Sequence, residues 1–479
     1  MLPAGFFLFF IAGILLILMD VTRKINLLRP AFFTVLLLPA TNFVLASYFL
    51  HNQLLASAGV LLRTMYFSAA ILFLTYYWGR LAVFPLMDGK KIALRLKIMA
   101  GGRILVYRSL WGIILCAAVL SASWNFLLQK GVPSNILVSN AICAGALLLL
   151  LLGNAVLRIF FTSRRLSILR RVLMLLTAWV PGVNLLVLLY SCRIVRDEYD
   201  FALYKENIHL TRVESDLCKT RYPLVMVHGV LFRDLRYFNY WGRIPRELIR
   251  YGATVFYGNQ EAVGTIEQNG YDLRNKIMEI MAQTGCEKVN IIAHSKGGLD
   301  ARYVISALGM SEYVASLTTM NTPHRGCRFI DKACKLPEGL FRLISRVVNS
   351  IFRRLGDKNP DFYSTIHQFA TPASEEFNRC VPDMPGIYYQ SYASKMKHMG
   401  SDSLLSLPYL MIRPLEGDND GLVSVSSAMW GNYRGALQNK NRRGISHGDI
   451  IDLKREDYRG FDVVETYISI VSDLKTYGF

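Results

Sequence analysis

The fifteen residues from Lys288 to Arg302, Lys-Val-Asn-Ile-Ile-Ala-His-Ser-Lys-Gly-Gly-Leu-Asp-Ala-Arg, most restrict what the second half of this chain can fold into. They read as a buried strand, a tight turn and a helix start in immediate succession. The turn carries Ser295, with Ala293 two residues before it and Gly297 two residues after. That spacing has a steric cause. A serine on a strained strand-to-helix turn lies so close to both elements that its neighbours at two residues' distance must be nearly free of side chain, and the helix start behind it favours developing negative charge. Ala293 stands where glycine is commoner. Alone, the pattern fits an ordinary buried strand-to-helix turn with an incidental serine equally well.

About 65 residues upstream, Tyr222–Leu231 is another short apolar run, broken at His228-Gly229. An oxyanion loop belongs at this position: backbone N–H groups fixed before acyl transfer stabilise the developing anion by roughly 2.7–4 kcal/mol per donor. The donors are expected to be the N–H of Val230 and the N–H of Lys296, after the nucleophile. The His228 ring is expected only to hydrogen-bond its own loop. Downstream, Leu415–Gly431 places Asp418 and Asp420 in a turn after the apolar run Tyr409–Ile412, where a triad acid is expected. Hydrolases of this order place serine, then acid, then histidine. Of the eight histidines only His447 follows residue 420, which singles out one base.

With these residues in hand, 222–452 resembles a triacylglycerol lipase of the α/β-hydrolase superfamily, close to the bacterial lipases. Four ordered motifs carry the resemblance: Val-His-Gly-Val at 227–230, Ala-His-Ser-Lys-Gly-Gly at 293–298, Asn-Thr-Pro-His-Arg-Gly at 321–326 and Asn-Asp-Gly-Leu-Val at 419–423, followed by the isolated His447-Gly448-Asp449. The resemblance implies Ser295 as nucleophile, Asp420 as acid and His447 as base, with Asp418 the rival acid on the same turn. It also implies a lid. The stretch Gly339–Gly356 repeats Leu340, Phe341, Ile344, Val347, Val348, Ile351, Phe352 and Leu355 at helical spacing, with Arg342, Arg346, Arg353 and Arg354 on other faces. A basic amphipathic helix of this kind either packs on a core or covers a site and meets lipid. Its place after Thr322–Gly326 is where the resembled lipases insert their lid, so an insertion near 327–400 is expected. Some of those lipases bind structural calcium through an acid two residues after the catalytic histidine, where Asp449 stands, making it a weak calcium candidate. No other cofactor is implied.

The first 200 residues are of another kind. Six apolar stretches, near 3–21, 30–49, 57–79, 105–127, 135–157 and 172–191, each approach the ~20 residues needed to cross a bilayer. Between them, fifteen Lys and Arg fall in the odd connections and one in the even ones. The positive-inside rule therefore puts the odd connections in the cytoplasm and the catalytic half outside. Met1–Leu18 lacks a basic leading segment and a cleavage site, so a retained span is expected rather than a signal peptide.

The expected organisation is thus an all-α transmembrane bundle of about six helices over 1–199 and an α/β-hydrolase domain over 200–479. Strands are expected at 223–228, 253–257, 288–293, 315–320 and 408–412, with helices near 269–284, 298–308 and 460–476. Residues 1–200 hold 19 basic and 5 acidic side chains, so +14 of the formal +19 belongs to the membrane half and reads as topology and anionic-lipid contact. No aromatic stripe interleaved with Lys and Arg points to nucleic acid. Five of eight cysteines lie in the catalytic half; Cys327 and Cys334 could close a small loop, or all could be free thiols. The function expected is a membrane-anchored serine ester hydrolase acting on lipid acyl esters. The alternatives are a lipid acyltransferase or phospholipase with the same triad, or an inert membrane scaffold or transporter.

Overall fold

The computed structural model describes residues 15–22, 26–27, 30–54, 59–83, 92–166, 168–212, 216–231, 239–457 and 460–479. The chain divides into two compact units, Met1–Ile208 and His209–Phe479.

The first unit is helical: α1 (Pro30–Thr41), α2 (Phe43–Phe49), α3 (Val60–Val83), α4 (Leu94–Gln129), α5 (Ser134–Thr162), α6 (Ile168–Leu176) and α7 (Pro181–Thr211). Helices α4 and α5 are long and apolar enough to cross a membrane, and α1 with α2 would make a third span if that bent pair is one. Small residues let α4 and α5 approach closely: a Cβ on Gly102 would lie 3.1 Å from the Ala155 carbonyl oxygen, and one on Gly112 would lie 2.8 Å from Leu148. The 30–49 stretch is bent by 71°. Pro39 has no N–H to continue the ladder, and Asn42 leaves the helical conformation while its side-chain amide donates to the Leu38 carbonyl. The expected span at 172–191 is two helices, because Pro181 starts α7 and disfavours a helical Val180 before it. Most of the stretch at 3–21, and the basic residues Arg23, Lys24, Arg29, Lys90 and Lys91, lie outside the described residues.

The second unit is built on six parallel strands, β1 (Leu224–Val227), β2 (Val255–Tyr257), β3 (Val289–His294), β4 (Val314–Met320), β5 (Tyr388–Ser394) and β6 (Asn432–Leu437), in the order β2-β1-β3-β4-β5-β6. Helices cover both faces, as parallel pairing requires. On one face Leu224, Met226 and Ile292 pack with Trp241, Ile244, Leu248 and Tyr467; on the other Val225, Val227, Ile291 and Ala293 pack with Leu273, Ile277, Val304 and Ile305. This two-sided burial is why β1 is an unbroken apolar run and β3 is mostly apolar, its buried Asn290 bonded to the Ser316 hydroxyl and the Tyr222 carbonyl. It is an α/β-hydrolase sheet flanked by helices. From β1 the chain moves outward to β2 and returns past β1 to β3, so the direction of winding reverses between β1 and β3. The crevice at their C-terminal ends is the place where such sheets bind ligands.

The helices of this unit include α8 (Ile244–Arg250), α9 (Ile266–Thr284), α10 (Gly297–Ser306), α11 (Arg328–Ala333), α12 (Glu338–Arg354), α13 (Phe362–His367), α14 (Thr371–Cys380), α15 (Ser406–Glu416), α16 (Val425–Ala428) and α17 (Val463–Thr476). One expectation is overturned here. The run at 408–412 is not a strand but the middle of α15, with Tyr409 and Ile412 turned inward. The strand that carries the sheet onward is β5, so the insertion after β4 ends before Tyr388 and the expected range of 327–400 runs too far. The eight cysteines are all unpaired thiols.

Candidate active site

Ser295 follows the last residue of β3 with φ at +53°, a left-handed conformation rare for a residue with a side chain. Such strain is held only where the surroundings over-determine it, and it gathers at functional sites. Here the Ser295 N–H donates to the Met320 carbonyl of β4 and its carbonyl accepts from the Gly298 N–H. The sequence spacing is explained by the contacts. A Cβ on Gly297 would lie 2.4 Å from the His228 carbonyl oxygen, and one on Gly298 would lie 2.2 Å from the Thr322 hydroxyl. Three motifs therefore lock together: the glycines behind Ser295 admit the end of β1 and the Asn-Thr-Pro-His-Arg-Gly loop.

That loop is held by its own buried polar set. The His324 ring sits 3.0 Å from the Thr319 hydroxyl and stacks on Trp430. Arg302, on α10, places its guanidinium 3.8 Å from the centre of the same indole and donates to Asn378 on α14 and to the Val381 carbonyl. Burial lowers the Arg302 pKa to about 10.

Past β1, His228 is fully buried, with Nδ1 and Nε2 at 2.8 and 3.0 Å from the Gly229 and Gln260 carbonyl oxygens. The ring therefore does more than serve its own loop: it ties that loop to the one after β2. Gly229 brings that loop against the serine, for a Cβ there would lie 2.8 Å from Ser295 Cβ and 2.8 Å from the Tyr240 hydroxyl. Val230 is the next residue of that loop, and Lys296 caps the start of α10 directly after Ser295. The Lys296 side chain turns away into the interior, where its ammonium meets Asp300 at 2.6 Å and Asn269 donates to the same carboxylate.

Asp420 is almost fully buried, and its two oxygens have separate duties. Oδ1 accepts from the Leu422 and Val423 N–H groups at 2.9 and 2.7 Å, while Oδ2 lies 2.6 Å from His447 Nδ1. The rest of the motif supports this turn: Asn419 accepts from the Gly421 N–H, and Gly421 has φ of +100° with no room for a Cβ beside Leu405. The His447 N–H also donates to the Asp420 carbonyl. Asp418 faces outward, half exposed, and pairs with Lys395 at 2.7 Å.

The structure adds a pair of residues that local sequence could not supply. The His447 ring lies 4.4 Å, centre to centre, from the ring of His294, the residue before Ser295, and His294 Nδ1 is 2.6 Å from the Tyr240 hydroxyl. Burial, reinforced by His447, pushes the His294 pKa well below its ordinary value, so the ring is a neutral support. Tyr240 is 54 residues away in sequence, and nothing in its own surroundings marks it.

Asp449 does not fit a calcium ligand. Arg443 donates to both its oxygens at 2.9 and 3.0 Å and the Ser446 N–H donates at 3.0 Å, so a guanidinium sits where a cation would have to bind. Among the described residues no group of three or more His, Cys, Asp or Glu could hold a metal.

Helix α12 rests on α13 through buried Phe341, which contacts the rings of Phe362, Tyr363 and His367. Most of its remaining apolar stripe faces outward: Leu340, Ile344, Val347, Ile351 and, just past the helix end, Leu355 are all between 41 and 54% exposed, while Val348 and Phe352 are half-buried.

A family profile described as "Putative serine esterase (DUF676)" matches residues 223–347, the span from β1 into α12. The chain is 28% identical over 269 residues to triacylglycerol lipase 2 of Saccharomyces cerevisiae, covering 52% of this chain and 77% of that one. It is 29% identical over 246 residues to a triacylglycerol lipase of Vibrio cholerae, covering 44% and 75%. For a triacylglycerol lipase of Pseudarthrobacter phenanthrenivorans the identity is 31% over 176 residues, and the chain spans about half of that relative, 54%. The solved structure of Bacillus licheniformis lipase BlEst2 in mature form aligns with 52% of this chain and 91% of its own at a TM-score of 0.40 and 21% identity. Together the serine-esterase profile and the lipase relatives indicate that this chain carries a hydrolase of the lipase and esterase kind.

Proposed function

We propose that the chain is a membrane-anchored serine ester hydrolase that cleaves lipid acyl esters, with Ser295, His447 and Asp420 as its triad. One observation carries this reading: the buried 2.6 Å contact between Asp420 and His447, whose ring packs on the residue preceding a strained serine. Ser295 Oγ attacks the ester carbonyl while His447 Nε2 takes its proton, and the same proton passes to the leaving alcohol. Asp420 keeps the other proton on Nδ1 and stabilises the imidazolium that forms. The carbonyl oxygen, now an anion, is received by the Val230 and Lys296 N–H groups. Water then repeats the sequence on the acyl-enzyme.

Lipid as substrate is supported by what the yeast and Vibrio relatives are named for and by the outward apolar stripe of α12, which serves as a lid that meets lipid when open. Membrane anchoring is supported by the 36-residue α4 and 29-residue α5, and the two compact units support a division into a membrane half (1–199) and a catalytic half (200–479). The distribution of basic residues supports a multi-pass anchor with the catalytic half outside. In intact cells an impermeant thiol reagent should reach a cysteine engineered at Ser215 but not one at Gly89, both outside the described residues; the opposite pattern would put the site in the cytoplasm. The chemistry is tested by mass spectrometry of lipids from membranes carrying wild type or Ser295→Ala. Free fatty acid released only by wild type supports hydrolysis. A new acylated alcohol in its place would make the protein an acyltransferase, and no change in any ester would refute the reading.

A further inference from the structure

The segment that delivers His447 is clasped between two buried carboxylates, Asp402 and Asp449, and each of them carries a cation of the chain's own. Asp402 accepts from the Ser446 hydroxyl and from Lys454 Nζ, both at 2.7 Å, and from the Leu404 N–H at 3.1 Å. Asp449 accepts from Arg443 and from the Ser446 N–H. Ser446, the residue before His447, is therefore tied to one acid by its side chain and to the other by its backbone. Arg443 Nε also donates to the Ser401 carbonyl at 3.0 Å, and the Gly444 N–H donates to the Ser401 hydroxyl at 3.1 Å, which fastens the same segment to the loop after β5.

The charge is balanced. Two carboxylates at 4 and 3% exposure face one guanidinium and one ammonium. A divalent cation bridging the pair would bring the same two positive charges, but a hard cation needs six to eight oxygen ligands at about 2.3–2.6 Å. The oxygens available here are filled by N–H and O–H donors.

We propose that Arg443 and Lys454 are positioning residues that replace a structural divalent cation, so that the His447 segment is held without bound metal. The inference rests on His447 being the base. Buried carboxylates left without a partner repel the fold around them, so losing either cation loosens Ser446 and, through it, the imidazole.

The test uses the full-length protein in detergent or lipid and a short soluble ester. Wild type should lose no activity on exhaustive chelation and gain none in millimolar calcium. Arg443→Ala should lower kcat at least tenfold with little change in KM, Arg443→Lys should recover much of it, and calcium should restore part of the loss in Arg443→Ala alone, because that variant exposes the acid to an ion. Loss of wild-type activity on chelation, reversed by calcium, would overturn the inference, as would full kcat in Arg443→Ala. The chelation arm holds even if Arg443→Ala fails to fold. His447→Ala separates the two readings: if it remains active the base is misassigned, whereas a dead His447→Ala with a chelator-sensitive wild type sinks only the replacement of metal.

Discussion

Replacing Asp420 by Asn keeps the shape of the acid and removes its charge, and the surrounding hydrogen bonds decide which way the new amide must turn. Oδ1 holds two backbone donors, from Leu422 and Val423, and Oδ2 faces His447 Nδ1 at 2.6 Å. An amide can satisfy the two N–H groups only with its oxygen, which turns its NH2 toward Nδ1. That nitrogen must then accept, so the imidazole proton moves to Nε2, where it blocks removal of the serine proton. Turning the amide over would restore the tautomer but aim NH2 at two N–H donors, a loss of about 2–3 kcal/mol from two bonds at roughly 1 kcal/mol each and the donors left facing one another. The wrong tautomer is the better choice. By analogy with other triads the rate falls on the order of 10⁴-fold, about 5.5 kcal/mol in the barrier. Asp418→Asn removes only a part-exposed pair with Lys395, of the kind worth about 0–1 kcal/mol to stability, and should leave kcat within about threefold. The assay is kcat on a short soluble ester, with melting temperature as a check on folding. If Asp418→Asn were the more damaging, or if Asp420→Asn stayed within tenfold of wild type, the assignment of the acid would be wrong.

Three further outcomes rest on the same geometry. Gly297→Ala forces a methyl to 2.4 Å from the His228 carbonyl and should cost about 100-fold in kcat by displacing the elbow, whereas Gly339→Ala, with nothing within 4 Å, should be silent; equal effects would show that the close approach is unimportant. His294 and His324 both have pKa values lowered well below the ordinary one, by burial first and then by a neighbour, His447 for His294 and the Arg302 guanidinium for His324. As pH falls below about 6.5 each takes up a proton only in the unfolded chain, so stability should drop by up to about 1.4 kcal/mol per pH unit per histidine. Hydrogen-exchange protection of β3 and β4 between pH 7 and 5.5 reads this directly, and a flat profile would contradict it. Changing Arg342, Arg346, Arg353 and Arg354 to Gln should weaken turnover on anionic vesicles, at roughly 1 kcal/mol of attraction per charge, while sparing a soluble ester. Ile344→Asp with Ile351→Asp should abolish interfacial turnover without lowering the melting temperature, and joint loss of both activities with a lower melting temperature would make the stripe core rather than lid.

The parts of the site legible in sequence are those made by short-range sterics. Ala293, Ser295 and Gly297 announce the elbow because strand, turn and helix leave no room for anything larger, and β1 is wholly and β3 mostly apolar because both their faces are covered. The misplaced strand has the opposite cause. Strand β5 reads Tyr-Tyr-Gln-Ser-Tyr-Ala-Ser, without apolar alternation, because its inward polar groups are bonded sideways: Gln390 to Thr318, Ser391 to the Trp430 carbonyl and Ser394 to Asn321. The four apolar residues Tyr409–Ile412, by contrast, fit a strand and a helix equally well by period, and only packing decides for α15. The support of His447 by His294 and Tyr240, and the cations that close on Asp402 and Asp449, join residues far apart in the chain, so no local pattern could reveal them. In the first unit, hydropathy located apolar stretches but not the breaks at Asn42 and Pro181, which depend on single residues inside them.

The central claim is that Ser295 is the nucleophile of a working triad, and covalent capture tests it most directly. Full-length protein in native membranes, treated with a fluorophosphonate and digested, should yield one modified peptide with the adduct on Ser295, lost in Ser295→Ala and greatly slowed in His447→Ala. An adduct on another residue, or labelling that persists undiminished in Ser295→Ala, would contradict the account.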